Sequence, residues 1–160
     1  ADPRVMAHFP AVMSRAESEA MARRCQALID TNGAGFWAVQ RVDTGEFIGH
    51  VGLHAPAPEL PCSPCVEVGW RLAAAHWHQG LASEAAREAL RVGFDELQLP
   101  AIVAFTALGN LRSQAVMQRI GMVRDVGGDF DHPALPAGHR LQRHGLWRLP
   151  AAAWRAATGA

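Results

Sequence analysis

The chain has 160 residues, 49% of them hydrophobic and 19% charged, which is enough for one domain with a core of its own. Lys and Arg number 15 and so do Asp and Glu, so there is no global basic field to hold nucleic acid. No run of about 18 uncharged apolar residues proposes a membrane span. The three cysteines lack disulfide-framework spacing and no secretory leader pattern opens the chain, so the expected compartment is a reducing cytoplasm.

Residues 1–10 read as a helical turn and loop, punctuated by Pro3 and Pro10. Ser14-Arg15-Ala16-Glu17 is a capping box. The helix after it presents Ala20, Met21, Cys25, Leu28 and Ile29 at helical spacing and stops before Asn32-Gly33. Cys25 is expected on its buried face, as a small hydrophobe. Residues 36–42 and 47–53 flank the turn Asp43-Thr44-Gly45-Glu46 and predict an antiparallel hairpin. Four prolines make residues 55–64 a loop. A strand over 66–72 follows, then a helix over 83–97 that carries Ala82, Ala85, Ala86, Ala89, Leu90, Gly93 and Leu97 on one face. The apolar run 101–106 completes a βαβ unit, so its two strands should be parallel. Asn110 caps a short helix over 111–120, ended by Gly121. Residues 122–126 and 145–149 read as the last strands, with a long polar loop from Asp129 between them. No linker or repeat interrupts this order, so residues 1–160 form a single domain with an α/β, mixed-sheet fold.

The junction Gln79-Gly80-Leu81-Ala82-Ser83 organises the rest. It joins a strand to the start of an Ala-rich helix. The first N–H groups of a helix have no internal partner and lie at its positive end, so they suit a phosphate or pyrophosphate. The junction has no G-x-G-x-x-G and no Lys, which argues against a dinucleotide-type or Walker-type site.

Four motifs stand in order: Val66-Glu67-Val68-Gly69-Trp70-Arg71-Leu72, Trp77-His78-Gln79-Gly80-Leu81-Ala82-Ser83-Glu84-Ala85, Asn110-x-x-Ser113 and Gly121-Met122. Together they resemble the GNAT superfamily of acyl-CoA-dependent N-acyltransferases, and within it the RimJ/RimL-like branch. The tail, Asp129-Phe130-Asp131-His132-Pro133 and His144-Gly145-Leu146-Trp147-Arg148-Leu149, is similar to that branch as well. The resemblance implies acetyl-CoA as co-substrate and an amine acceptor, either a peptide N-terminus or a small amine. It implies CoA pyrophosphate on the amides of Gln79, Gly80, Leu81, Ala82 and Ser83. It also implies a pantetheine arm in a cleft between strands 66–72 and 101–106. The family's signature Q/R-x-x-G-x-G/A has Trp77 at its first position here, and His78 replaces a frequent Gly.

Amide formation needs a neutral amine, a polarised thioester and a stabilised leaving thiolate. Glu67, on the strand expected beside the thioester, is the first candidate for the base, and His132 the second. The bland readings are an ion-paired strand residue for Glu67 and a loop-ordering hydrogen bond for His132. Many family members use a Tyr to protonate the sulfur, and this chain has none. Ser113 matches the branch's Ser and can hydrogen-bond the thiolate. Asn110 matches its Asn, expected on CoA, and is also a plain helix cap.

Cys62-Ser63-Pro64-Cys65, with His50 and His54 nearby in sequence, offers ligand types that zinc accepts. There is no second cysteine pair, and the resemblance implies that Cys62 and Cys65, with Trp37 and His132, wall the acceptor pocket, so no metal is expected. A non-catalytic acyl-CoA-binding module and a zinc-stapled interaction domain remain as alternatives. The family's usual opening strand is not found, which leaves an edge that a homodimer could cover.

Overall fold

The computed structural model describes residues 2–159. Helix α1 (Arg15–Asn32) starts at the expected capping box. The Glu17 amide donates to Ser14 Oγ at 3.2 Å and the Ser14 amide to Glu17 Oε2 at 2.7 Å. It ends at Gly33, whose φ of 70° is the left-handed cap that glycine adopts without a Cβ penalty. The expectation of a well-buried helix face is corrected: α1 buries no residue, and Leu28 is 43% exposed. The helix packs against β1 at the margin of the sheet, so only a narrow stripe of it is covered.

The hairpin β1 (Phe36–Gln40) and β2 (Phe47–His54) is antiparallel, and β2 pairs antiparallel with β3 (Glu67–Leu72). Strands β4 (Ala101–Ala107), β5 (Val123–Asp131) and β6 (Arg143–Pro150) complete a six-stranded mixed sheet of order β1-β2-β3-β4-β6-β5. As expected for a βαβ unit, β3 and β4 are parallel. Helices α2 (Leu81–Arg91), α3 (Leu111–Arg119) and α4 (Ala151–Thr158) meet on one face. There Ala86, Leu90, Phe94, Met117 and Trp154 form one core with Val51, Val68 and Ile102. Small residues on α2 let it lie close to the strands.

Three boundaries differ from the sequence reading. The helix after the turn is α-helical only to Arg91 and then widens into a π turn (Val92–Glu96), where the Leu97 amide reaches back to the Val92 carbonyl. The wider turn brings Phe94 inside and leaves Leu97 39% exposed. Strand β5 runs through Asp129-Phe130-Asp131, which the sequence reading gave to a loop. A bulge at Gly127-Gly128 makes this possible: the Gly128 amide donates to Asp125 Oδ1 at 3.1 Å and the Leu146 amide to Asp129 Oδ1 at 3.3 Å. Helix α4 was not foreseen. It follows Pro150 directly, and Trp154 stacks on Phe94 at 5.5 Å while its indole N–H reaches Asp95 Oδ1 at 3.2 Å.

Candidate active site

The turn before α2 is set by two left-handed residues, His78 (φ 61°) and Gly80 (φ 81°). Gly80 is the N-cap, and its carbonyl accepts from the amides of Ser83 at 2.9 Å and Glu84 at 3.0 Å. Among the described residues the amides of Gln79, Gly80, Leu81 and Ala82 make no hydrogen bond. A Cβ added at Gly80 would meet nothing within 4 Å. Four unpaired donors therefore stand at the positive end of a helix, beside open space at the Gly80 Cβ position, which suits a pyrophosphate. The Ser83 amide is already used by the helix and its side chain is buried. From the β1–β2 turn, Arg41 reaches Gln79 Oε1 at 3.0 Å, a contact not foreseen from sequence.

A groove of about 800 Å³ begins at Gln79 and Gly80 and follows the outer side of α2 toward α4. Glu84, Glu88 and Asp95 line it together with Arg87 and Arg91, and Arg91 pairs with Glu88 at 2.7 Å, so its charges are mixed. A second opening runs inward. Strands β3 and β4 share a single register pair, Glu67 with Val103, held by the Val103 amide on the Val66 carbonyl at 2.9 Å. Beyond that pair the two strands separate, so a gap opens in the middle of the sheet with Glu67 at its apex. Ligands of open α/β sheets commonly sit at such a place.

Strand alternation divides β3. Val68 and Leu72 face the core, while Glu67, Gly69 and Arg71 face the other side of the sheet. On that side His54 stands opposite Glu67, with Nε2 3.4 Å from Oε2. Burial pushes the Glu67 carboxyl up to about 8 and holds His54 below the usual imidazole range. The Phe36 ring lies over Gly69, 4.9 Å from the His54 ring and 5.3 Å from the His50 ring. A Cβ at Gly69 would come within 3.1 Å of that ring, so the glycine makes room for it.

The remaining expected residues fall in three places. Cys62 and Cys65 stand with their sulfurs 3.8 Å apart, and burial raises both thiols, with the Glu67 charge adding to the effect. They therefore lie near Glu67. Trp37 packs on the core, across the sheet from Glu67, and its neighbour Phe36 takes the position beside His54. His132 accepts from the Ala134 amide at 3.3 Å and sits 5.0 Å from the ring of His144, in a cluster with Phe130. Among the described residues no group of three or more His, Cys, Asp or Glu is arranged to hold a metal.

Asn110 and Ser113 lie at the open end of the gap. Asn110 caps α3, and its Nδ2 donates to Thr106 Oγ1 at 2.9 Å and Ser113 Oγ at 3.1 Å. Because Ser113 Oγ accepts from Asn110, its own proton is free to be donated. Thr106 is three residues beyond Val103, roughly 10 Å along β4. Ser113 and Glu67 are thus not in contact but stand at two ends of one opening.

With this geometry in hand, comparison with known proteins is decisive. The family model described as "Acetyltransferase (GNAT) domain" matches residues 1–123. The chain belongs to the GNAT acetyltransferase family. Its mixed sheet and flanking helices match a GNAT-family acetyltransferase structure from Bacillus anthracis with a TM-score of 0.75 and 26% identity, covering 94% of this chain and 84% of that one. Bacillus subtilis YkkB, itself uncharacterized, is 31% identical over 121 residues, which are 76% of this chain and 69% of that protein. The FsC-acetyl coenzyme A-N(2)-transacetylase of Aspergillus fumigatus is 38% identical over 97 residues, 58% of this chain and 41% of that protein. As a GNAT acetyltransferase the protein uses acetyl-CoA as co-substrate, and the free amides before α2 and the gap between β3 and β4 suit that molecule's pyrophosphate and arm.

Proposed function

We propose that this acetyltransferase transfers acetyl from acetyl-CoA to a primary amine by direct attack in a ternary complex. The observation that carries the reading is Glu67: a buried carboxyl at the apex of the gap between β3 and β4, pushed up by burial. An α-amine has a reference pKa of about 7.7–8.0 and a lysine amine about 10.4. The α-amine is the easier of the two to deprotonate near neutral pH, which supports an N-terminal amine of a peptide or protein as acceptor. The Asn110-x-x-Ser113 pair and the tail motifs support the RimJ/RimL-like branch.

In this reading the neutral amine nitrogen attacks the thioester carbonyl carbon and forms the N–C bond. The thioester lies between the two ends of the opening, so the amine proton passes through a water to the Glu67 carboxylate. The C–S bond breaks, and Ser113 Oγ–H hydrogen-bonds the departing thiolate, which takes a proton from solvent as Glu67 releases its own. The amides of Gln79, Gly80, Leu81 and Ala82 hold the pyrophosphate, and Asn110 keeps the Ser113 proton turned outward. Cys62, Cys65 and His132 border the acceptor. The same reading has no metal, nucleic-acid or membrane partner. It takes the cytoplasm as location, supported by three free cysteines, and a homodimer along the free edge of β1. Light scattering of the purified protein tests the dimer.

The test of the function is a thermal titration with acetyl-CoA, succinyl-CoA, CoA and ATP, followed by CoA-thiol release with a panel of amines. Saturation at 100 times Kd adds about 2.7 kcal/mol of stability. A rise with acetyl-CoA and thiol release with peptides bearing a free N-terminus support the reading. No rise with any CoA species overturns it.

A further inference from the structure

The carboxyl at the apex of the gap has one nitrogen base set against it. Glu67 and His54 are partners in the β2–β3 register, and Oε2 of the one is 3.4 Å from Nε2 of the other. Both side chains are largely covered. The other groups around Glu67 offer its carboxylate no cation. Cys62 and Cys65, from the proline loop, are held as neutral thiols. On β4 the residue in register with Glu67 is Val103, and Arg148, next in that row on β6, is engaged by Asp125 at 2.6 Å. Further along β2 and β3 stand His50 and Arg71, with the Phe36 ring packed between the two imidazoles, 4.9 Å from His54 and 5.3 Å from His50.

What His54 offers Glu67 depends on where its ring carries the proton. Burial keeps the imidazole neutral, so it has one N–H and one lone pair. Nδ1 is buried with no partner among the described residues. A proton on Nδ1 would bury an unpaired donor and turn the Nε2 lone pair toward the carboxylate. A proton on Nε2 leaves Nδ1 a bare acceptor and aims the N–H at Oε2. For an ionised Glu67 the second arrangement is favoured, because a hydrogen bond to a charged carboxylate is about twice as strong as one between neutral groups. At 3.4 Å the contact is longer than a good hydrogen bond, and such contacts tighten as the charge they serve appears.

We propose that His54 is the positioning residue of the base: its Nε2–H donates to the ionised Glu67 carboxylate and holds one oxygen, leaving the other for the water that carries the amine proton. The catalytic consequence rests on the acetyl-transfer reading, but the contact itself does not. With the donor removed, burial acts on Glu67 unopposed and the carboxyl ionises at higher pH.

The experiment has two readouts. The first needs no catalysis: protein with isotope-labelled histidine and glutamate is titrated by NMR from pH 5 to 10. Above the pH at which the Glu67 carboxyl titrates, wild-type His54 is expected to show a protonated Nε2 and a bare Nδ1. His54→Leu is expected to move the Glu67 titration up by about one pH unit, and His54→Gln, whose amide N–H can take the place of Nε2–H, to leave it near the wild-type value. A protonated Nδ1 above that pH, no shift in His54→Leu, or an equal shift in both variants overturns the proposal. The tautomer is read in wild type, so it decides the matter even where His54→Leu does not fold. The second readout is acetyl transfer to an aromatic amine. His54→Leu is expected to lose about tenfold in kcat/KM at pH 7 and to recover toward pH 10, with His54→Gln close to wild type throughout. A loss that is the same at pH 7 and 10 assigns His54 to packing and overturns its role. Failure of acetyl transfer itself shows separately, as no thiol release from any amine in wild type, and the NMR titration then decides the contact alone.

Discussion

His54 and Glu67 face each other across β2 and β3 with Nε2 and Oε2 3.4 Å apart, in surroundings that disfavour charge on either group. Near neutral pH both are mainly uncharged, so the base must lose a proton before it can act. With an aromatic amine acceptor, unprotonated throughout the range, kcat/KM is expected to rise about tenfold per pH unit below pH 8 and to level above it. A flat profile between pH 6 and 9 would remove Glu67 from the role of base.

Glu67→Gln should separate activity from stability. Loss of a general base costs about 10²–10⁴ in rate. The folded protein holds the Glu67 proton to about pH 8, well above the unfolded value near 4.5, so the stability from this group is complete below about 4.5 and is lost as pH rises toward 8. The variant should therefore resemble wild type at pH 5 and exceed it at pH 9, by on the order of a few kcal/mol. Urea unfolding at both pH values measures this. An equal difference at pH 5 and 9 would show that the carboxyl is not held neutral.

His50 has the opposite sign. Its folded value is depressed to about 4, first by burial and then by the Arg71 charge. Its contribution is present above the unfolded value near 6.5 and is lost as pH falls toward 4. His50→Gln should flatten the loss of stability between pH 6.5 and 4.5 by on the order of 2 kcal/mol. Melting temperatures across that window decide the point.

The turn before α2 predicts two opposite substitution effects. His78 holds a left-handed conformation that costs an L-residue about 1–2 kcal/mol, so His78→Gly should be neutral or stabilising by up to about 1 kcal/mol. Gly80→Ala should cost about 1 kcal/mol from backbone strain alone, because its new methyl group meets no neighbour. That methyl also stands before the free amides, so acetyl-CoA affinity should fall in the same variant, as calorimetry would report.

Burial pushes Cys65 up to about 12 and raises Cys62. Thiols held in this state react slowly, since the thiolate is the nucleophile. Alkylation of Cys62 and Cys65 by iodoacetamide at pH 8 should be at least tenfold slower in the folded protein than in urea, as peptide mass mapping would show. Equal rates would place the pair in free solvent.

How much of this was legible beforehand depended on whether the signal was local. The Ser14 capping box, the Gly33 stop, the hairpin and the parallel β3–β4 unit were all readable, because each rests on residues close in sequence or on a connection length. The place of Glu67 on β3 and of Gly80 at the start of α2 was readable for the same reason. His54 was weighed only as a metal ligand, since its partnership with Glu67 depends on a register spanning the proline loop. Strand alternation could have separated Phe36 from Trp37, but not which of them faces Glu67, because that depends on where α1 packs. Strand β5 was cut short because Gly127-Gly128 is turn chemistry in sequence, and only the carboxylates of Asp125 and Asp129 make it a bulge.

The lone register pair between Glu67 and Val103 also bears on cooperativity. Backbone pairing divides the sheet into two blocks, β1-β2-β3 and β4-β6-β5, with that pair as the seam. Blocks joined so sparingly are natural units of partial opening, and amides along the seam should exchange with solvent more readily than those inside each block. A ligand that hydrogen-bonds both lips of the seam would suture the blocks together. Its footprint in hydrogen exchange would then extend well past the atoms it touches, into strands on either side.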